Sequence, residues 1–413
     1  MPEHDVIVVG AGLAGLSCAL RLRQWGREPL VLEASDDVGG RVRTDVVDGF
    51  LLDRGFQILL TAYPEARRVL DYDALALRSF NPGVLVWRGS RFQRLSDPFR
   101  MPHQALASVL SAVGTWQDKL RLAGLRLDLV RSPAARLRSR PDVPTIDELR
   151  RRGFSQRMIK SFFAPFLGSV FFDPDLSTSS RLFALVMRNF FQGATAVPAA
   201  GMGAIPRQLA SRLGSGSIRL RTHVAEVGDG WVRLDDGQEL GAHAVVVATE
   251  GPVAAGLVAE IGPVTSRGGA TVYFAAPRPP MREATLMLEG TQSGPATLAV
   301  VLSNVAESYA PACRALIATA VIGDPPASDD ALEVALRAQL RRWFGACVDE
   351  WRRLAVYRIP HAVPAQVTGA PLARPVALAG RLFVCGDHRD TPSIQGALVS
   401  GRRAAGAIAR ARP

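Results

Sequence analysis

Three glycines near the N-terminus stand at the spacing that binds phosphate. Gly10, Gly12 and Gly15 follow the run 5–9, whose valines and isoleucine are typical of a buried parallel strand. Gly10 suits a tight turn, Gly12 lets backbone approach a pyrophosphate, and Gly15 lets the next helix pack closely on the strand. Because the start of that helix offers free N–H groups and a positive dipole end, the pattern predicts a dinucleotide site.

A second strand ends in an acid where a ribose is expected. Residues 29–33 form an apolar run that closes on Glu33, whose carboxylate can accept from an adenosine ribose 2′-OH. This favours FAD or NAD over NADP. In Gly39-Gly40-Arg41, backbone can lie against a cofactor and Arg41 can neutralise a diphosphate. NAD enzymes do not generally carry this second element, so FAD is the predicted cofactor and NAD the alternative.

The C-terminal tail carries residues suited to a flat ring. An apolar run ends in Gly386-Asp387, and Ser393 is placed to cap a helix that begins with Gln395-Gly396-Ala397. Asp387 can accept from a sugar-like hydroxyl, and the small residues at the helix start leave room for a ring. The positive end of that helix would stabilise the negative charge of a reduced flavin, which makes the flavin a better hydride acceptor.

Together these motifs resemble the FAD signatures of the flavin amine oxidase superfamily, which includes amine oxidases, protoporphyrinogen oxidases and phytoene desaturases. The resemblance implies that Gly55-Phe56-Gln57 runs near the isoalloxazine ring, that Val224 presents backbone groups to the adenine, and that Asp387 meets the ribityl chain. It also implies ring contact for residues 395–397. The predicted cofactor-binding residues are Gly10, Gly12, Ala14, Gly15, Glu33, Gly40, Arg41, Gly55, Phe56, Gln57, Val224, Gly386, Asp387, Gln395, Gly396 and Ala397.

At 413 residues the chain is long for one hydrophobic core, which predicts two domains. We predict an α/β fold with a Rossmann-type FAD-binding domain and a second α+β substrate domain, both built from discontinuous segments. Residues 1–75, 200–262 and 375–413 are assigned to the FAD-binding domain, and residues 76–199 and 263–374 to the substrate domain. Cofactor and substrate would meet where the two domains touch.

Phenylalanine is concentrated in one stretch of the predicted substrate domain. Such a run usually belongs to the core, but aromatic side chains also line pockets for large apolar substrates. By resemblance this region is largely helical and forms part of the substrate domain, so both interpretations stay open. The stretch contains eight of the 17 Phe, at positions 162, 163, 166, 171, 172, 183, 190 and 191.

The positive charge of the chain comes almost wholly from arginine. Lys119 and Lys160 are the two lysines, so arginine supplies 47 of the 49 basic residues, and the formal net charge is +11. Genome composition alone can explain this, whereas an anionic partner or membrane surface is the functional alternative. Nucleic acid is disfavoured because no recognisable nucleic-acid module is present. Leucines and arginines interleave over Met101–Arg138, which predicts helices that either pack on the core or contact an anionic membrane.

Cysteine use and hydropathy indicate the compartment. The four cysteines are far apart, with no CxxC pair and no histidine at metal-ligand spacing, so we expect buried thiols, no disulfide and no metal site. Cys385 lies on the strand behind the tail motif, and FAD is expected to bind non-covalently. Without an apolar run of about eighteen residues or room for a secretory signal before the first strand, we expect a cytoplasmic protein, at most peripheral to a membrane.

The predicted reaction is hydride transfer from an organic, small-molecule substrate to N5 of FAD. Many amine oxidases of the superfamily hold a lysine near N5, and the strand 269–274, where it would be expected, contains none. The passage 357–361 resembles the arginine, apolar, proline sequence of the desaturase and protoporphyrinogen oxidase branches. These features favour CH–CH dehydrogenation of a large apolar or conjugated substrate.

Two alternatives to that reaction stay open: amine oxidation at a CH–NH bond, and a flavin-binding scaffold without turnover. No residue can be assigned as a catalytic base. His361, His388 and Tyr273 are candidates by residue type alone, and a single histidine is more often structural than catalytic.

Overall fold

The computed structural model of the chain describes residues 3–96, 100–101, 111–323 and 325–411. The strands are β1 (His4–Val9), β2 (Pro29–Leu32), β3 (Thr44–Val47), β4 (Phe50–Asp53), β5 (Leu59–Leu60), β6 (Arg78–Ser79), β7 (Gly83–Trp87), β8 (Phe92–Ser96), β9 (Thr195–Val197), β10 (Ile218–Arg219), β11 (Val224–Gly228), β12 (Trp231–Leu234), β13 (Glu239–Val247), β14 (Ser266–Ala276), β15 (Leu286–Glu289), β16 (Ala296–Val301), β17 (Ala315–Ile322), β18 (Arg352–Pro364) and β19 (Leu382–Val384).

Helices connect and cover these strands. They are α1 (Leu13–Gln24), α2 (Pro64–Val69), α3 (Trp116–Arg131), α4 (Ala134–Arg138), α5 (Thr145–Arg151), α6 (Gln156–Met158), α7 (Ala164–Phe171), α8 (Ser180–Gln192), α9 (Ala204–Ala210), α10 (Gly251–Leu257), α11 (Leu302–Val305), α12 (Asp329–Phe344) and α13 (Ile394–Arg410). A π-helical turn, Ile159–Phe163, leads into α7.

The first sheet is the Rossmann-type sheet that the sequence predicts. Its parallel strands follow the order β10-β2-β1-β13, and β19 pairs with the end of β13. These strands are apolar because both faces are covered: Val31 and Val246 pack with residues of α1 and α13, and Ile7 packs with residues of β11 and β12. The helices α1 and α13 cross closely, since a Cβ at Gly401 would lie 2.2 Å from the carbonyl oxygen of Ala14. The N-terminal and C-terminal motifs are thereby packed together.

The second sheet is mixed and follows the order β18-β14-β17-β16-β15-β7-β8. Its pairs are antiparallel apart from β15 with β7. Leu332, Leu336 and Leu340 of α12 are fully buried in the cluster that covers one face of this sheet. The fold is therefore α/β with a second α+β part, as predicted, whereas the boundaries assigned to the two domains stay a prediction.

Several predicted elements are confirmed, and two strands of the second sheet were missed. The hairpin predicted around Arg88-Gly89-Ser90 is the pair β7 and β8, and the predicted helix 331–344 is α12. β15 and β17 were not predicted. In β17, Ala315, Ala318 and Ala320 have weak strand preference, and the strand forms because β14 and β16 pair with it on either side.

Two helices of the arginine- and leucine-rich stretch are described, α3 and α4. Residues 102–110, which include Leu106, Val109 and Leu110, lie outside the described residues. Thr115 and Asp118 cap α3 reciprocally, each side chain accepting from the other's backbone N–H at 3.1 and 2.7 Å. Leu125 and Leu129 are buried in the core. The prediction that these helices pack on the protein's own core is thus confirmed for this part of the stripe.

Candidate functional site

A cavity of about 670 Å³ opens where β1, β2, β13 and β19 end, between the two sheets. Clefts at the carboxyl ends of parallel strands are where doubly wound folds bind ligands. Thirteen of the sixteen predicted cofactor-binding residues line the cavity: Gly10, Gly12, Ala14, Glu33, Gly40, Arg41, Gly55, Phe56, Gln57, Val224, Gly386, Asp387 and Ala397. The structure therefore brings the motifs of both termini to one site.

The glycine loop at this site has the geometry that the spacing predicts. Gly10 has a φ of +107°, and a Cβ on Gly15 would lie 2.0 Å from the carbonyl oxygen of Gly10. Gly15 is thus needed for helix packing and does not line the cavity. No atom lies within 4 Å of a Cβ built on Gly12, which is the N-cap of α1, so the helix start faces open space.

Glu33 both lines the cavity and holds the glycine loop. Its Oε2 accepts from the backbone N–H of Ala11 at 2.6 Å, and its Oε1 accepts from the N–H and hydroxyl of Ser35 at 2.9 and 2.6 Å. These bonds fix the orientation of a carboxylate that is only 8% exposed. A fixed carboxylate is well placed to accept a further hydrogen bond from a ligand hydroxyl.

Arg41 and Asp387 form an ion pair across the cavity wall. Nη2 of Arg41 lies 2.7 Å from Oδ1 of Asp387, and Nη1 donates to the carbonyl oxygen of Ala362 at 2.7 Å. Burial opposes the charge of Arg41, but the adjacent Asp387 raises the pKa of the guanidinium above its ordinary value. Arg41 therefore remains a cation, and it lines the same cavity as Gly12 at the start of α1.

The loop Gly55-Phe56-Gln57 is fixed against the second sheet. Gly55 has a φ of +105°, and a Cβ there would lie 2.7 Å from Cδ1 of Ile359. The N–H of Phe56 donates to Oγ1 of Thr271 at 2.9 Å. Nε2 of Gln57 donates to the carbonyl oxygen of Arg41 at 2.6 Å. The loop is thus held in place by residues of the second sheet and of the N-terminal motif.

The tail helix begins at the cavity, but only one of the three residues predicted to contact the ring lines the cavity. Oγ of Ser393 accepts from the N–H of Gly396 at 3.1 Å, which confirms Ser393 as the cap. A Cβ on Gly396 would lie 1.8 Å from the carbonyl oxygen of Thr391, so this glycine allows the turn rather than facing a ring. Gln395 accepts from the N–H of Glu65 in α2 at 2.9 Å. Of residues 395–397, only Ala397 lines the cavity.

Two residues that line the cavity each have a buried polar atom without a partner within the protein: Oε1 of Gln57 and Oγ1 of Thr249. A buried polar atom without a hydrogen bond destabilises a fold, so such atoms in a cavity fit a polar ligand. Sequence reasoning missed Thr249. It directly follows the apolar run 244–248, and the rule that ligands lie beyond parallel strands could have identified it.

The opposite part of the cavity is apolar. The lining residues that follow strands of the first sheet include three acids, Glu33, Glu250 and Asp387. The described lining residues from the second sheet and its helices, in contrast, carry no charge. These are Phe166, Ser169, Val170, Phe171, Phe172, Val186, Phe190, Leu286, Leu298, Ile359, Ala362 and Val363.

A second cavity of about 470 Å³ adjoins this apolar part. It is lined mainly by residues 79–84 and 95–96 and by side chains of α3 and α8, and it shares Phe166, Phe190 and Leu286 with the first cavity. The phenylalanine-rich stretch therefore contributes both to the core and to the cavity walls, while its contact with a large apolar substrate stays a prediction. Phe163 and Phe183 are core residues with at most 1% exposure, whereas Phe166 and Phe190 separate two cavities.

Among the described residues that line the large cavity, none is one of the three candidate bases, Tyr273, His361 and His388. Tyr273 is fully buried and donates to the carbonyl oxygen of Asp53 at 2.8 Å. A ring nitrogen of His361 and the hydroxyl of Ser266 lie 2.6 Å apart, and His388 borders a separate small cavity. Neither lysine lines the large cavity: Nζ of Lys119 donates to the carbonyl oxygen of Ser111, and Lys160 is exposed.

No group of three or more His, Cys, Asp or Glu side chains is arranged to hold a metal ion within the described residues. Among the helices that the structure describes, none has both the length and the apolar character needed to cross a bilayer.

Comparison with known sequences relates the chain to a family of proteins. Residues 13–409 match the flavin containing amine oxidoreductase family. Protoporphyrinogen oxidase 2 of Arabidopsis thaliana is 29% identical over 171 residues, which is 41% of this chain and 33% of that protein. The 15-cis-phytoene desaturase of Synechococcus elongatus is 30% identical over 205 residues, 45% of this chain and 41% of the desaturase.

A shorter match connects the chain to an amine oxidase. Putrescine oxidase of Kocuria rosea is 46% identical over 69 residues, 17% of this chain and 14% of that enzyme. Among solved structures, an oxidoreductase of Methanosarcina mazei superposes with a TM-score of 0.75 at 18% identity, covering 97% of this chain and 99% of the other. The curated relatives are thus matched over less than half of their length, and the structural likeness concerns the fold.

Proposed function

The chain belongs to the flavin containing amine oxidoreductase family, and we propose that this flavin oxidoreductase dehydrogenates a CH–CH unit of a large apolar or conjugated small molecule. FAD, when bound, supplies the N5 position that accepts the hydride. The observation that carries the proposal is the uncharged wall that the second sheet and its helices contribute to the large cavity. The substrate is proposed to lie against this wall.

We propose that the predicted motif residues hold FAD in the other part of the cavity. Glu33 would accept from the ribose, Arg41 would neutralise the pyrophosphate, Asp387 would contact the ribityl chain, and Val224 would face the adenine. The loop Gly55-Phe56-Gln57 and Ala397 would lie at the ring. The partnerless atoms of Gln57 and Thr249 support this assignment, because a cofactor rich in hydrogen-bonding groups would satisfy them.

The charge distribution supports a hydrocarbon substrate over an amine. A protonated amine placed against the second-sheet wall would lose water without gaining a carboxylate, which is unfavourable. Thr271, on the strand where the lysine of amine oxidases would be expected, already accepts from Phe56. A conjugated substrate, in contrast, would delocalise the positive charge left by hydride loss. The second cavity adds room for an extended molecule.

Amine oxidation is the second candidate function. Its support is the match to putrescine oxidase of Kocuria rosea, whose 46% identity over 69 residues is the highest among the relatives described above. That match covers 17% of this chain and does not include the whole of the cavity wall, which comes from residues spread between positions 9 and 397.

Identification of the product distinguishes the two functions. The FAD-loaded enzyme would be incubated in air with porphyrinogens, polyene precursors and putrescine. We expect a product with a new carbon–carbon double bond, detected by its added absorption band, from one of the first two classes. Formation of an aldehyde and ammonia from putrescine, without any such band, would show that the enzyme is an amine oxidase.

We propose that FAD is bound without a covalent link. Cys385 is fully buried, and the hydrogen bond with Cys18, followed by burial, raises the pKa of its thiol well above the ordinary value. A protonated, enclosed thiol does not attack a flavin. After denaturation and centrifugation the yellow colour should stay in the supernatant; colour that remains on the precipitated chain would contradict the proposal.

We also propose contact with an anionic membrane through α3. Trp116, Leu120 and Leu127 expose 65%, 63% and 42% of their surface, and arginines flank them along the helix. Exposed apolar side chains beside basic ones suit the interface of an anionic bilayer. Leu120 also lines the second cavity, so this surface lies beside a route for an apolar molecule.

A further inference from the structure

The second cavity, beside the apolar part of the large one, has the size of a ligand site. Its volume of about 470 Å³ lies within the roughly 300–1,000 Å³ that small-molecule pockets enclose. The described residues that line it include none of the sixteen predicted cofactor-binding residues. A ligand of its own would therefore fit here beside a bound cofactor.

The interior of this cavity is apolar. Apart from Ser96, its buried lining side chains are all apolar, among them Phe162, Phe166, Met187 and Leu286, each at most 7% exposed. Such a wall stabilises the apolar part of a ligand by removing it from water. Phe166 and Leu286 also line the large cavity, so the apolar interior extends as far as the wall between the two cavities.

The rim of the cavity, in contrast, is positively charged. Three cationic side chains line the cavity, Arg100, Lys119 and Arg126, and each retains contact with solvent. Leu120, between them in the chain, is 63% exposed. Among the lining residues that the structure describes, none is an aspartate or a glutamate. The cavity thus combines an apolar interior with a cationic rim.

Two of these cations are fixed in position on one helix. Lys119, Ala123 and Arg126 follow the helical repeat of α3 and project from one face of it. Nζ of Lys119 donates to the carbonyl oxygen of Ser111 at 2.7 Å. The guanidinium of Arg126 lies over the ring of Phe191, 5.4 Å from its centroid, and Phe191 itself lines the cavity. Both charges are therefore held at the cavity wall.

The two acids of α3 contact other parts of the protein. Asp118 accepts from the hydroxyl of Ser155 at 2.6 Å, and Asp128 pairs with Arg140 and Arg152 at 2.6 and 2.9 Å. Neither acid lines the cavity.

The positive environment of the rim affects Lys119 itself. Burial, followed by repulsion from Arg157, lowers the pKa of Lys119, although Asp118 opposes this change. An anion at the rim would attract these cations, and guanidinium and ammonium groups form strong hydrogen bonds with carboxylate and phosphate oxygens. A cation would be repelled there.

We propose that the second cavity binds an elongated apolar molecule with an anionic head group, a carboxylate or a phosphate, of which a fatty acid is the simplest example. Its chain lies against Phe162, Phe166 and Met187, and its head group meets Lys119 and Arg126 at the rim. A neutral molecule of the same shape would bury the same apolar surface without the charge-assisted hydrogen bonds. The site is assigned independently of the proposed reaction.

The test compares four probes with one chain and different head groups: dodecanoate, dodecyl phosphate, dodecanol and dodecylammonium. Each is titrated by calorimetry, below the concentration at which it forms micelles, into protein saturated with FAD so that the cofactor part of the large cavity is occupied. We expect one saturable site for an anionic probe, roughly tenfold weaker binding of dodecanol, as for loss of a charge-assisted hydrogen bond, and none of dodecylammonium. The tighter of the two anions identifies the head group.

Variants separate the contribution of the rim from that of the interior. Arg126→Gln and Lys119→Gln should each weaken binding of dodecanoate by roughly tenfold while leaving that of dodecanol unchanged, a difference that a merely structural effect would not produce. Ala123→Phe, at a partly exposed position, fills the cavity and should weaken both. Arg131→Gln and Trp116→Ser are matched controls, because both residues are exposed on α3 and neither lines the cavity.

Crystals grown with ω-bromododecanoate locate the chain directly. An anomalous bromine peak is expected beside Phe166 and Met187, with the carboxylate at Lys119 and Arg126. Absence of saturable binding, equal affinity for dodecanol or dodecylammonium, full affinity in Ala123→Phe, or bromine in the large cavity would overturn the proposal. These measurements require no turnover, so failure of the proposed reaction and failure of this site are distinguishable.

Discussion

Arg41 and Asp387 are 346 positions apart in the chain, and their side chains meet at 2.7 Å beside the mouth of the glycine loop. Arg41 follows the second strand of the Rossmann-type sheet, and Asp387 follows the last. Arg41 also donates to Ala362 at the end of β18, which belongs to the second sheet. One guanidinium therefore links the N-terminal motif, the C-terminal motif and the wall of the substrate part of the cavity.

The first prediction concerns the strength of this pair. In a double-mutant cycle with Arg41→Met and Asp387→Asn, the free energy of unfolding should show a coupling of about 0.5–3 kcal/mol, because Asp387 is buried and the contact is short. Denaturant titration of FAD-free protein measures it. The exposed pair Arg381 and Asp229 provides a control, whose coupling should be about 0–1 kcal/mol. Simple additivity at Arg41 and Asp387 would contradict the structural role.

The second prediction tests Glu33. Glu33→Ala should weaken FAD binding by roughly 1.5–3 kcal/mol, since it removes the proposed ribose contact together with the acceptor of the Ala11 N–H. Fluorescence titration of the FAD-free protein gives the dissociation constant directly. Glu28→Ala, at an exposed position before β2, is the control and should leave the affinity unchanged. If Glu33→Ala retains FAD as well as the control does, Glu33 has been misassigned.

The N-terminal and C-terminal motifs could be located from sequence because their constraints are local. Gly10, Gly12 and Gly15 are required by one turn and one helix start, and Ser393 caps the helix that directly follows it. Residues whose role depends on distant partners were not assignable in this way. Gln395 belongs to the same motif, yet its side chain accepts from Glu65, 330 positions away.

The same reasoning explains what was missed in the fold. β17 is rich in alanine, and it becomes a strand because two neighbouring strands pair with it, which no local pattern reveals. The partnerless Thr249 and the uncharged wall of the cavity depend on which side chains meet after folding. The candidate bases show a related limit, because residue type alone does not reveal that Tyr273 donates to the carbonyl oxygen of Asp53.

The third prediction concerns pH. Asp53 is 2% exposed, and burial raises the pKa of its carboxyl to about 6 although it accepts from Thr44, Met202 and Tyr309. Because the folded state holds this proton more tightly than the unfolded chain, whose Asp pKa is about 3.9, Asp53 stabilises the protein below pH 4. That contribution decreases as the pH rises to 6, by up to about 3 kcal/mol.

Unfolding by urea at several pH values between 4 and 7 measures this effect as a difference between proteins. The stability of the unchanged protein minus that of Asp53→Asn should fall across this range, since the variant cannot ionise. Asp236→Asn, in an exposed turn, should give a constant difference. A difference that is equally constant for Asp53→Asn would show that Asp53 is not the group that titrates.

The fourth prediction concerns the exposed side of α3. Liposomes with anionic lipid should carry the protein upward in a flotation gradient at low salt, and about 0.1 M salt, where the Debye length is roughly 10 Å, should weaken the effect. The double variant Trp116→Ser, Leu120→Ser should float less because it lacks the apolar contact. Val334→Ser, an equally exposed position on α12, is the control. A protein that never floats with any lipid would exclude membrane contact.

The reaction itself is tested most directly by anaerobic reduction of the enzyme-bound flavin. Stopped-flow absorbance at 450 nm, the usual wavelength for oxidised flavin, would follow mixing with porphyrinogens, polyenes, other conjugated hydrocarbons, primary amines and polyamines. The uncharged wall predicts rapid bleaching by at least one conjugated substrate and none by the amines. Rapid bleaching by putrescine or another small amine, with no response to any conjugated compound, would contradict the proposed CH–CH dehydrogenation and leave the FAD site itself intact.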